Sequence, residues 1–481
     1  MSAAPKVLEY IDSNVDKFID RLAEAVAIPS VSGDASHRED VFKMASWLER
    51  QLNSYGVETK RVDLGTHEMD GQTLKLPDAI VGRIGSDPSK KTILIYGHFD
   101  VQPAFKSDGW DTEPFTLVVD EKTGRLIGRG STDDKGPILG WLNVLEAHHA
   151  LGLPLPVNLR FCFEGMEESG SEGLDDAIEA EVKKGKDGWF HGVDCVCISD
   201  NYWLNDRTPC LTYGLRGLTY FKVTVTGPAR DLHSGVFGRT VHEPMTDLII
   251  LMSKLVDPNG NILIPGVDDM VKPADADELA IYDKLDYSVS DIDASAGASI
   301  SLSDDKAQVI MGRMRQPSLS LHGIEGAFYG VGAKTVIPAK VSGKFSIRLV
   351  PPQTPDNVNP LVYKFIEQEF AKLNSKNKLI IEELHGGKPW VADHRHWNYE
   401  AAKKATEAVY KKTPDLTREG GSIPVTLTFA EQLGVNVLLL PMGRGDDGAH
   451  STNEKLDKSN FIQGTKLLGS YLYEVAAITS N

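Results

Sequence analysis

Apolar positions along the chain follow two alternating spacings, which predict helices and strands in turn. From Leu8 to Val26 apolar side chains recur at helical spacing, and Pro29 marks the end of the predicted helix. Shorter apolar runs rich in β-branched residues follow, and such runs are typical of buried strands. The strands predicted from these runs are 57–64, 79–84, 92–96, 157–163 and 194–198. Strands that alternate with helices favour a largely parallel sheet with helices on its faces.

The pattern changes after about Tyr213, where alternating strands and amphipathic helices follow in a different order. The elements predicted there are strands at 218–226, 341–349 and 379–384 and helices at 244–256 and 357–373. From about Trp390 the first pattern returns and continues to a last helix near 459–477. We therefore predict an α/β fold with a mostly parallel-stranded, helix-flanked catalytic domain, residues 1–212 and 390–481, and a smaller inserted α+β domain, residues 213–389.

The composition is ordinary for a globular protein and narrows the classes of partner. Of 481 residues, 41% are hydrophobic and 25% are charged, and the formal net charge is −17. This acidity argues against binding to nucleic acid or to an anionic membrane, which needs clustered lysine and arginine. No apolar run reaches the roughly 18 residues of a membrane span, and the N-terminal stretch does not resemble a signal peptide. Four cysteines in so long a chain favour a reducing compartment, and we predict the cytosol.

The predicted strand 92–96 stops abruptly at Gly97, and a histidine and an aspartate follow it. His98 and Asp100 stand where ligands and chemistry collect in α/β proteins, at the end of a strand. A His-x-Asp pair suits a metal ligand and its orienting partner, because a ligating imidazole needs an acceptor for its other ring nitrogen. A capped, structural histidine would show the same local pattern.

Other strand ends and glycine-rich turns supply further groups that can bind metal ions. Together with His98 they are Asp133, Glu167, Glu168, Asp200 and His450. Taken singly, each has a simpler interpretation. An aspartate at a helix start favours the helix dipole, a Glu-Glu pair suits a solvated turn, and a loop histidine suits the surface. Taken jointly, their placement after apolar strands predicts a metal site.

Two imidazoles with several carboxylates are the usual ligands of a two-metal hydrolase. Imidazole with carboxylate suits zinc, and oxygen-rich sites also accept manganese or cobalt. In such sites two ions about 3.5–4 Å apart are clamped by shared ligands. One carboxylate must stay off the ions to move a proton. The neighbours Glu167 and Glu168 fit this division, because successive side chains can point in opposite directions.

Five motifs in this order and spacing resemble those of the M20 family of metallopeptidases, specifically its carnosinase-like cytosolic dipeptidases. The motifs are GHFDVQP (97–103), GRGSTDDKGP (128–137), EGMEESGSEG (164–173), ISDNYW (198–203) and GAHSTNE (448–454). The resemblance covers nearly the whole chain and implies a zinc-exopeptidase-like catalytic domain with an inserted lid and dimerisation domain. It is strongest to the family's fungal cysteinylglycine dipeptidases, which act in glutathione breakdown.

The resemblance also implies a role for each group of the metal site. Two divalent ions per subunit, Zn²⁺ or Mn²⁺, would share Asp133. His98 and Asp200 would complete one ion site, and Glu168 and His450 the other. Glu167 would act as the general base, Asp100 would orient His98, and the peptide bond after Asp133 would be cis.

In the inserted domain the resemblance assigns contacts with the substrate. His233 would donate a hydrogen bond to the developing oxyanion in the neighbouring subunit of a homodimer, and Arg348 would bind the terminal carboxylate of the peptide. Thr335, Ser422 and His385 would line the same pocket. From the residues alone, an exposed loop histidine and a solvent-facing arginine explain His233 and Arg348 equally well.

We therefore expect a homodimeric two-metal dipeptidase whose substrates are small dipeptides with free termini, including Cys-Gly. Glu167 would take a proton from the attacking water and return it to the leaving amine. Another M20 amidohydrolase, such as an aminoacylase or a carboxypeptidase, is the alternative within the family. A metal-binding scaffold without catalysis is the alternative outside enzymes.

Overall fold

The computed structural model describes residues 3–478 of the chain. Up to residue 215 three helices precede a run of seven strands, and two further helices are each followed by strands. In chain order these elements are α1 (Ala3–Ser13), α2 (Val15–Val26), α3 (Arg38–Ser54), β1 (Glu58–Val62), β2 (Thr66–Met69), β3 (Gln72–Lys75), β4 (Ala79–Ile84), β5 (Thr92–His98), β6 (Val118–Asp120), β7 (Arg125–Ile127), α4 (Lys135–Leu151), β8 (Asn158–Glu164), α5 (Leu174–Lys183), β9 (Cys195–Ile198) and β10 (Cys210–Leu215).

The rest of the chain forms a second group of elements and then returns to the first. The second group is β11 (Gly217–Thr226), β12 (Leu232–His233), α6 (Ser234–Phe237), α7 (Pro244–Met252), α8 (Ala276–Lys284), α9 (Val289–Ala296), α10 (Lys306–Met314), β13 (Ser318–Glu325), β14 (Val336–Ile337), β15 (Lys340–Leu349), α11 (Pro355–Lys372) and β16 (Lys378–Gly387). The returning elements are β17 (Trp390–Val391), α12 (Trp397–Tyr410), β18 (Asp415–Glu419), α13 (Pro424–Leu433), β19 (Asn436–Leu439), β20 (Lys455–Asp457) and α14 (Lys458–Ala476).

Nine strands form the large sheet, in the order β1-β4-β8-β5-β9-β19-β10-β17, with β18 also paired to β10. The four central strands β8, β5, β9 and β19 run parallel, and antiparallel pairs stand toward both edges. The prediction of a mostly parallel sheet with helices is confirmed. Because parallel strands end at one edge, the residues that follow β5, β8 and β9 meet there.

Helices cover both faces of the large sheet, and strand β5 shows the consequence. Ile93 and Ile95 point into the apolar core formed with α2, α4 and α14. Leu94 and Tyr96 point into the core formed with α5 and α13. Every residue of β5 is therefore buried, and the strand reads as an unbroken apolar run instead of an alternating one.

The second sheet is antiparallel, with the order β13-β15-β11-β16, and has its own core. Burial alternates along the first residues of β11, as expected for a strand with one covered face. Phe221 of β11 stacks on Phe345 of β15 at 5.2 Å between ring centroids, and Leu248 of α7 and Val358 of α11 pack in the same cluster. This layered unit lies between β10 and β17 in the chain.

The structure differs from the sequence prediction in one helix and adds two helices where the sequence predicts none. The predicted N-terminal helix is two helices, because Asn14 leaves helical geometry. Its side-chain amide Nδ2 donates a hydrogen bond to the Tyr10 carbonyl at 2.8 Å. Residues 265–303, where the sequence shows only weak periodicity, contain α8 and α9. There, Tyr282 and Leu285 are buried against Trp203, so tertiary packing compensates for a weak local pattern.

All four cysteines are buried, and each carries a free thiol. Among the helices in residues 3–478, none combines the length and the apolar character needed to cross a membrane.

Candidate metal centre

The candidate metal ligands stand at one edge of the large sheet. Each follows a strand or opens a helix there. His98 is the last residue of β5, Asp133 precedes α4, Glu167 and Glu168 form a single 3-10 turn after β8, Asp200 follows β9, and His450 lies in the loop between β19 and β20. The sequence placed these groups at strand ends, and the parallel strands bring them together.

The five predicted ligands form two groups that share Asp133. The possible ligand atoms of His98, Asp133 and Asp200 lie within 4.8 Å of one another, and so do those of Asp133, Glu168 and His450. Asp133 Oδ1 is 3.1 Å from His98 Nε2, whereas its Oδ2 is 3.1 Å from His450 Nε2. Its two oxygens therefore face different histidines, which is the arrangement a bridging carboxylate requires.

The remaining distances close the two groups. His98 Nε2 lies 3.5 Å from Asp200 Oδ1, and His450 Nε2 lies 2.9 Å from Glu168 Oε2. Each imidazole thus faces two carboxylates through its Nε2 atom, the nitrogen free to bind an ion.

The charges of this cluster fit divalent cations. Within residues 3–478 no lysine or arginine forms an ion pair with Asp133, Glu168 or Asp200, and their only ion-pair partners there are the two histidines. Burial raises the pKa of Asp200 to about 6. Hydrogen bonds to Asp133 and Glu168 raise the pKa of His450 to about 10. Buried carboxylates that have no lysine or arginine beside them are an environment that a bound metal ion can neutralise.

Asp100 serves both halves of the arrangement. Its carboxylate is fully buried, and Oδ1 lies 3.3 Å from His98 Nδ1. The backbone N–H groups of Glu167 and Glu168 donate to its two oxygens at 3.2 and 3.1 Å. Asp100 therefore contacts a candidate ligand of one group and also holds the turn that carries Glu168. The sequence indicated only the first of these contacts.

Glu167 stands beside the ligands without joining either group. Its carboxylate has no hydrogen-bond donor among the described residues, and burial foremost raises its pKa well above the ordinary value. A raised pKa near a reacting centre suits a group that accepts and returns a proton near neutral pH. Its neighbour Glu168 is held by Gln102, whose amide donates to Oε2 at 2.8 Å.

The turn before α4 approaches β5 very closely. The Asp133–Asp134 peptide bond is cis, as the resemblance implied. Asp134 Oδ2 accepts the backbone N–H of His98 at 3.2 Å. A Cβ atom on Gly97 would stand 2.8 Å from that oxygen and 2.7 Å from Ile138, so only glycine allows this contact.

The predicted substrate contacts are more dispersed. His233, Thr335, His385 and Ser422 are all exposed, and no hydrogen bond or ion pair within residues 3–478 joins them to the metal ligands. His233 caps α6, where its Nδ1 accepts the Gly235 N–H at 2.9 Å. The structure therefore places these four residues without bringing them to the ligands.

Arg348 is different, because it lies half-buried on β15 near the junction of the two sheets. Burial lowers its pKa, and Glu419 opposes that effect. Its neighbour Arg216, between β10 and β11, donates to Ser318 Oγ at 3.2 Å and to the Gly420 carbonyl at 3.4 Å. Burial foremost, and then the charge of Arg348, lower the Arg216 pKa to about 10. Two arginines thus lie close together beside the segment that leads to Ser422.

Sequence reasoning missed Gln102 and Arg216. Gln102 stands two residues after Asp100 in the same motif, and a polar residue there is the signal that could have identified it. Arg216 carries no such signal, because its role depends on the junction between two sheets.

Comparison with known proteins agrees with the geometry. The profile of Peptidase family M20/M25/M40 matches residues 94–474. The chain is 56% identical to a Cys-Gly metallodipeptidase of Schizosaccharomyces pombe, with 98% of each chain covered. It is 44% identical to the human Beta-Ala-His dipeptidase, with 98% of this chain and 93% of the relative covered.

Solved structures show the same similarity in three dimensions. A di-peptidase from Saccharomyces cerevisiae superposes with a TM-score of 0.92 at 52% identity, and all of both chains is covered. Human carnosine dipeptidase 1 superposes with a TM-score of 0.90 at 42% identity, with 99% of this chain and 100% of the other covered.

Proposed function

The chain belongs to peptidase family M20, and from that premise we propose that its centre hydrolyses dipeptides with free termini, Cys-Gly among them. The observation that carries this proposal is the difference in position between Asp133 and Glu167. Asp133 faces two histidines with its two oxygens, and Glu167 stands beside them without a hydrogen-bond donor in the described part of the chain. Relatives matched over nearly their whole length are Cys-Gly and Beta-Ala-His dipeptidases.

We propose that two divalent ions, Zn²⁺ or Mn²⁺, occupy the two ligand groups. His98, Asp133 and Asp200 would hold one ion, and Asp133, Glu168 and His450 the other. Bound there, such ions supply Lewis acidity, which polarises a carbonyl and makes water acidic near neutral pH. Asp100 and Gln102 would keep His98 and Glu168 oriented toward them.

The chain itself would supply the proton transfer. Glu167 would take a proton from the attacking water and pass it to the leaving amine, because it lies beside the ligands and is not paired. Arg348 would bind the terminal carboxylate, for which a guanidinium offers two parallel donors. Thr335, Ser422 and His385 would line the pocket. An exopeptidase needs such recognition of a free end.

We further propose a homodimer in which His233 donates to the oxyanion in the partner's site. The exposure of His233, with no contact to the ligands of its own chain among residues 3–478, supports this role. The following segment exposes apolar side chains that a partner could cover, namely Val236, Phe237, Val241, Ile249 and Ile250. The same proposal includes a catalytic domain of residues 1–212 and 390–481 with an inserted lid domain of residues 213–389. It also includes a cytosolic location and a role in glutathione breakdown.

The experiment strips the protein with a chelator, restores Mn²⁺ or Zn²⁺, and follows four substrates. These are Cys-Gly, β-Ala-His, an N-acetylated dipeptide and a tripeptide. Metal-dependent cleavage of the free dipeptides supports the proposal, and the ratio of Cys-Gly to β-Ala-His turnover ranks the substrates. Cleavage of only the N-acetylated compound would indicate an aminoacylase instead. Two bound ions without turnover of any substrate would leave the scaffold hypothesis.

A further inference from the structure

Glu454 is a buried glutamate that accepts four hydrogen bonds from the turn carrying Asp133. Its side chain is 0% exposed. One oxygen, Oε1, accepts the backbone N–H groups of Thr132 and Asp133 at 3.0 and 3.1 Å. The other, Oε2, accepts the Gly130 N–H at 3.0 Å and the Arg129 guanidinium at 2.8 Å. One carboxylate therefore fixes the backbone immediately before and at the shared ligand Asp133.

Glu454 belongs to the same loop as His450, only four residues away. Its backbone carbonyl accepts the Gly128 N–H at 3.0 Å, so backbone and side chain both bind the turn. A second link runs in parallel, because Thr132 Oγ1 donates to Asp447 Oδ2 at 2.7 Å. The loop between β19 and β20 is thus fastened to the Asp133 turn on both sides of His450.

The same loop leaves His450 itself less constrained. His450 is 58% exposed at its side chain and has a φ of 60°, in the left-handed region that non-glycine residues rarely adopt. Its ring contacts Asp133 and Glu168 through Nε2. Because the ring is open to solvent, the position of its backbone depends on the fastened residues around it.

We propose that Glu454 is a positioning residue that sets the distance between Asp133 and His450 and thereby the affinity of the ion held by Asp133, Glu168 and His450. The inference rests on the two-ion centre proposed above. In the other ion group, His98 ends the central strand β5 and Asp200 closely follows the central strand β9, so the positions of these two residues depend less on Glu454 than that of His450 does. A loss of Glu454 is therefore expected to weaken one ion much more than the other.

The test uses Mn²⁺ as the probe and Glu454→Gln as the principal variant. The amide keeps the size of the side chain but offers one acceptor oxygen instead of two. Free Mn²⁺ is counted by room-temperature electron paramagnetic resonance during titration, and low-temperature spectra report magnetic coupling between neighbouring ions. The matched control is Glu146→Gln, which removes another buried glutamate, 2% exposed, that accepts bonds from Tyr10, Lys17 and Tyr55 on the helical side.

We expect Glu454→Gln to bind the first ion as the parent does and the second about 10- to 100-fold more weakly, with the coupled signal lost at two equivalents of Mn²⁺. Its kcat should recover as Mn²⁺ is raised, because the catalytic groups are intact. The Glu146→Gln control should lower the melting temperature and leave both dissociation constants unchanged.

Parent-like binding of both ions and a parent-like spectrum in Glu454→Gln would overturn the inference and reduce Glu454 to a structural role. If that variant does not fold, Glu454→Asp repeats the titration with the charge kept and the carboxylate shortened, and selective weakening of the second ion is again required. A parent protein that binds neither Mn²⁺ nor Zn²⁺ would overturn the two-ion centre itself. Titration of the parent therefore distinguishes failure of the proposed centre from failure of the role of Glu454.

Discussion

Buried acidic side chains occur at two places in the molecule, at Glu146 of α4 and at the candidate metal centre, and their charges are balanced in different ways. Where α1 and α2 pack against α4, Glu146 of α4 accepts hydrogen bonds from Lys17, Arg21, Tyr10 and Tyr55. At the metal centre, Asp133, Glu168 and Asp200 face two imidazoles, and within residues 3–478 they have no lysine or arginine partner.

The pKa directions follow from this difference. Burial would raise the pKa of Glu146, but hydrogen bonds from Lys17 and Arg21 outweigh it and lower the pKa to about 2. Burial raises the pKa of Asp200 to about 6, and its histidine partner does not overcome it. In this protein the charge of Glu146 is balanced by cations of the chain itself. Within residues 3–478 the carboxylates of the candidate metal centre have no lysine or arginine partner, and a bound ion would balance them instead.

The largest expected effect is on catalysis. Glu167→Gln should lower kcat by about 10²- to 10⁴-fold, because an amide cannot accept and return the proton. The two ions should stay bound, and the melting temperature should not fall, because the carboxylate has no hydrogen-bond donor in the described part of the chain. Turnover of Cys-Gly, metal content and thermal unfolding check this.

Glu172→Gln is the matched control for that substitution. Glu172 is an exposed glutamate near the same turn, paired with His67 at 3.1 Å. It should keep the parent kcat. A Glu167→Gln enzyme with parent-like kcat would show that another group moves the proton.

A substitution at Glu146 should mainly affect stability. Glu146→Gln should lower the free energy of unfolding by about 3–5 kcal/mol, because it leaves the buried Arg21 cation without its partner. kcat should be unchanged, since no hydrogen bond or ion pair within residues 3–478 joins Glu146 to the candidate metal ligands. Denaturant unfolding of the metal-free protein measures this, and a loss of activity without a loss of stability would contradict the comparison.

Metal removal should show that the metal centre and the Glu146 contacts contribute independently to stability. At a free ion concentration of 100 times the dissociation constant, one bound ion adds about 2.7 kcal/mol to the free energy of unfolding. The effects of distant, independent sites on the free energy of unfolding are additive. The increment on adding Mn²⁺ should therefore be equal in the parent and in Glu146→Gln. Unequal increments would show that the clusters are coupled.

The smallest effect is the pH dependence of the Glu146 contribution. The folded pKa of about 2 lies below the ordinary value of 4.5, so the stabilisation is fully present above about pH 4.5 and is lost as the pH falls toward 2. The stability gap between the parent and Glu146→Gln should stay constant from pH 7 to about pH 5 and narrow below that. Melting curves at stepped pH measure the gap, and one that widened on acidification would refute the assignment.

Much of the fold could be predicted because its signals are local. The apolar run that forms β5 is unbroken, and its burial on both faces explains that pattern. The confirmed mostly parallel sheet then accounts for the convergence of strand-end groups. The break at Asn14 was missed, because continuous apolar spacing on both sides of it hides a single residue that leaves helical geometry.

The site could be predicted as a set of residues but not as a network. His98 and Asp133 each follow a local pattern, a strand end and a glycine-rich turn. The double role of Asp100, which holds His98 and the Glu167–Glu168 turn, depends on a contact 67 residues apart in the chain. Glu454 lies 321 residues from the Asp133 N–H that it accepts, and Arg216 acts at a junction of two sheets.

By itself the sequence determined the order of elements, the family and the positions of the groups that can bind ions, because spacing, strand ends and motifs are properties of neighbouring residues. Tertiary structure alone decided which carboxylates are balanced by cations of the chain and which are left for an ion. Glu146 and Asp200 are both buried acids in the same fold. Only the packing of α2 against α4 brings Arg21 to the first, and no element brings a lysine or arginine within ion-pair distance of the second among residues 3–478.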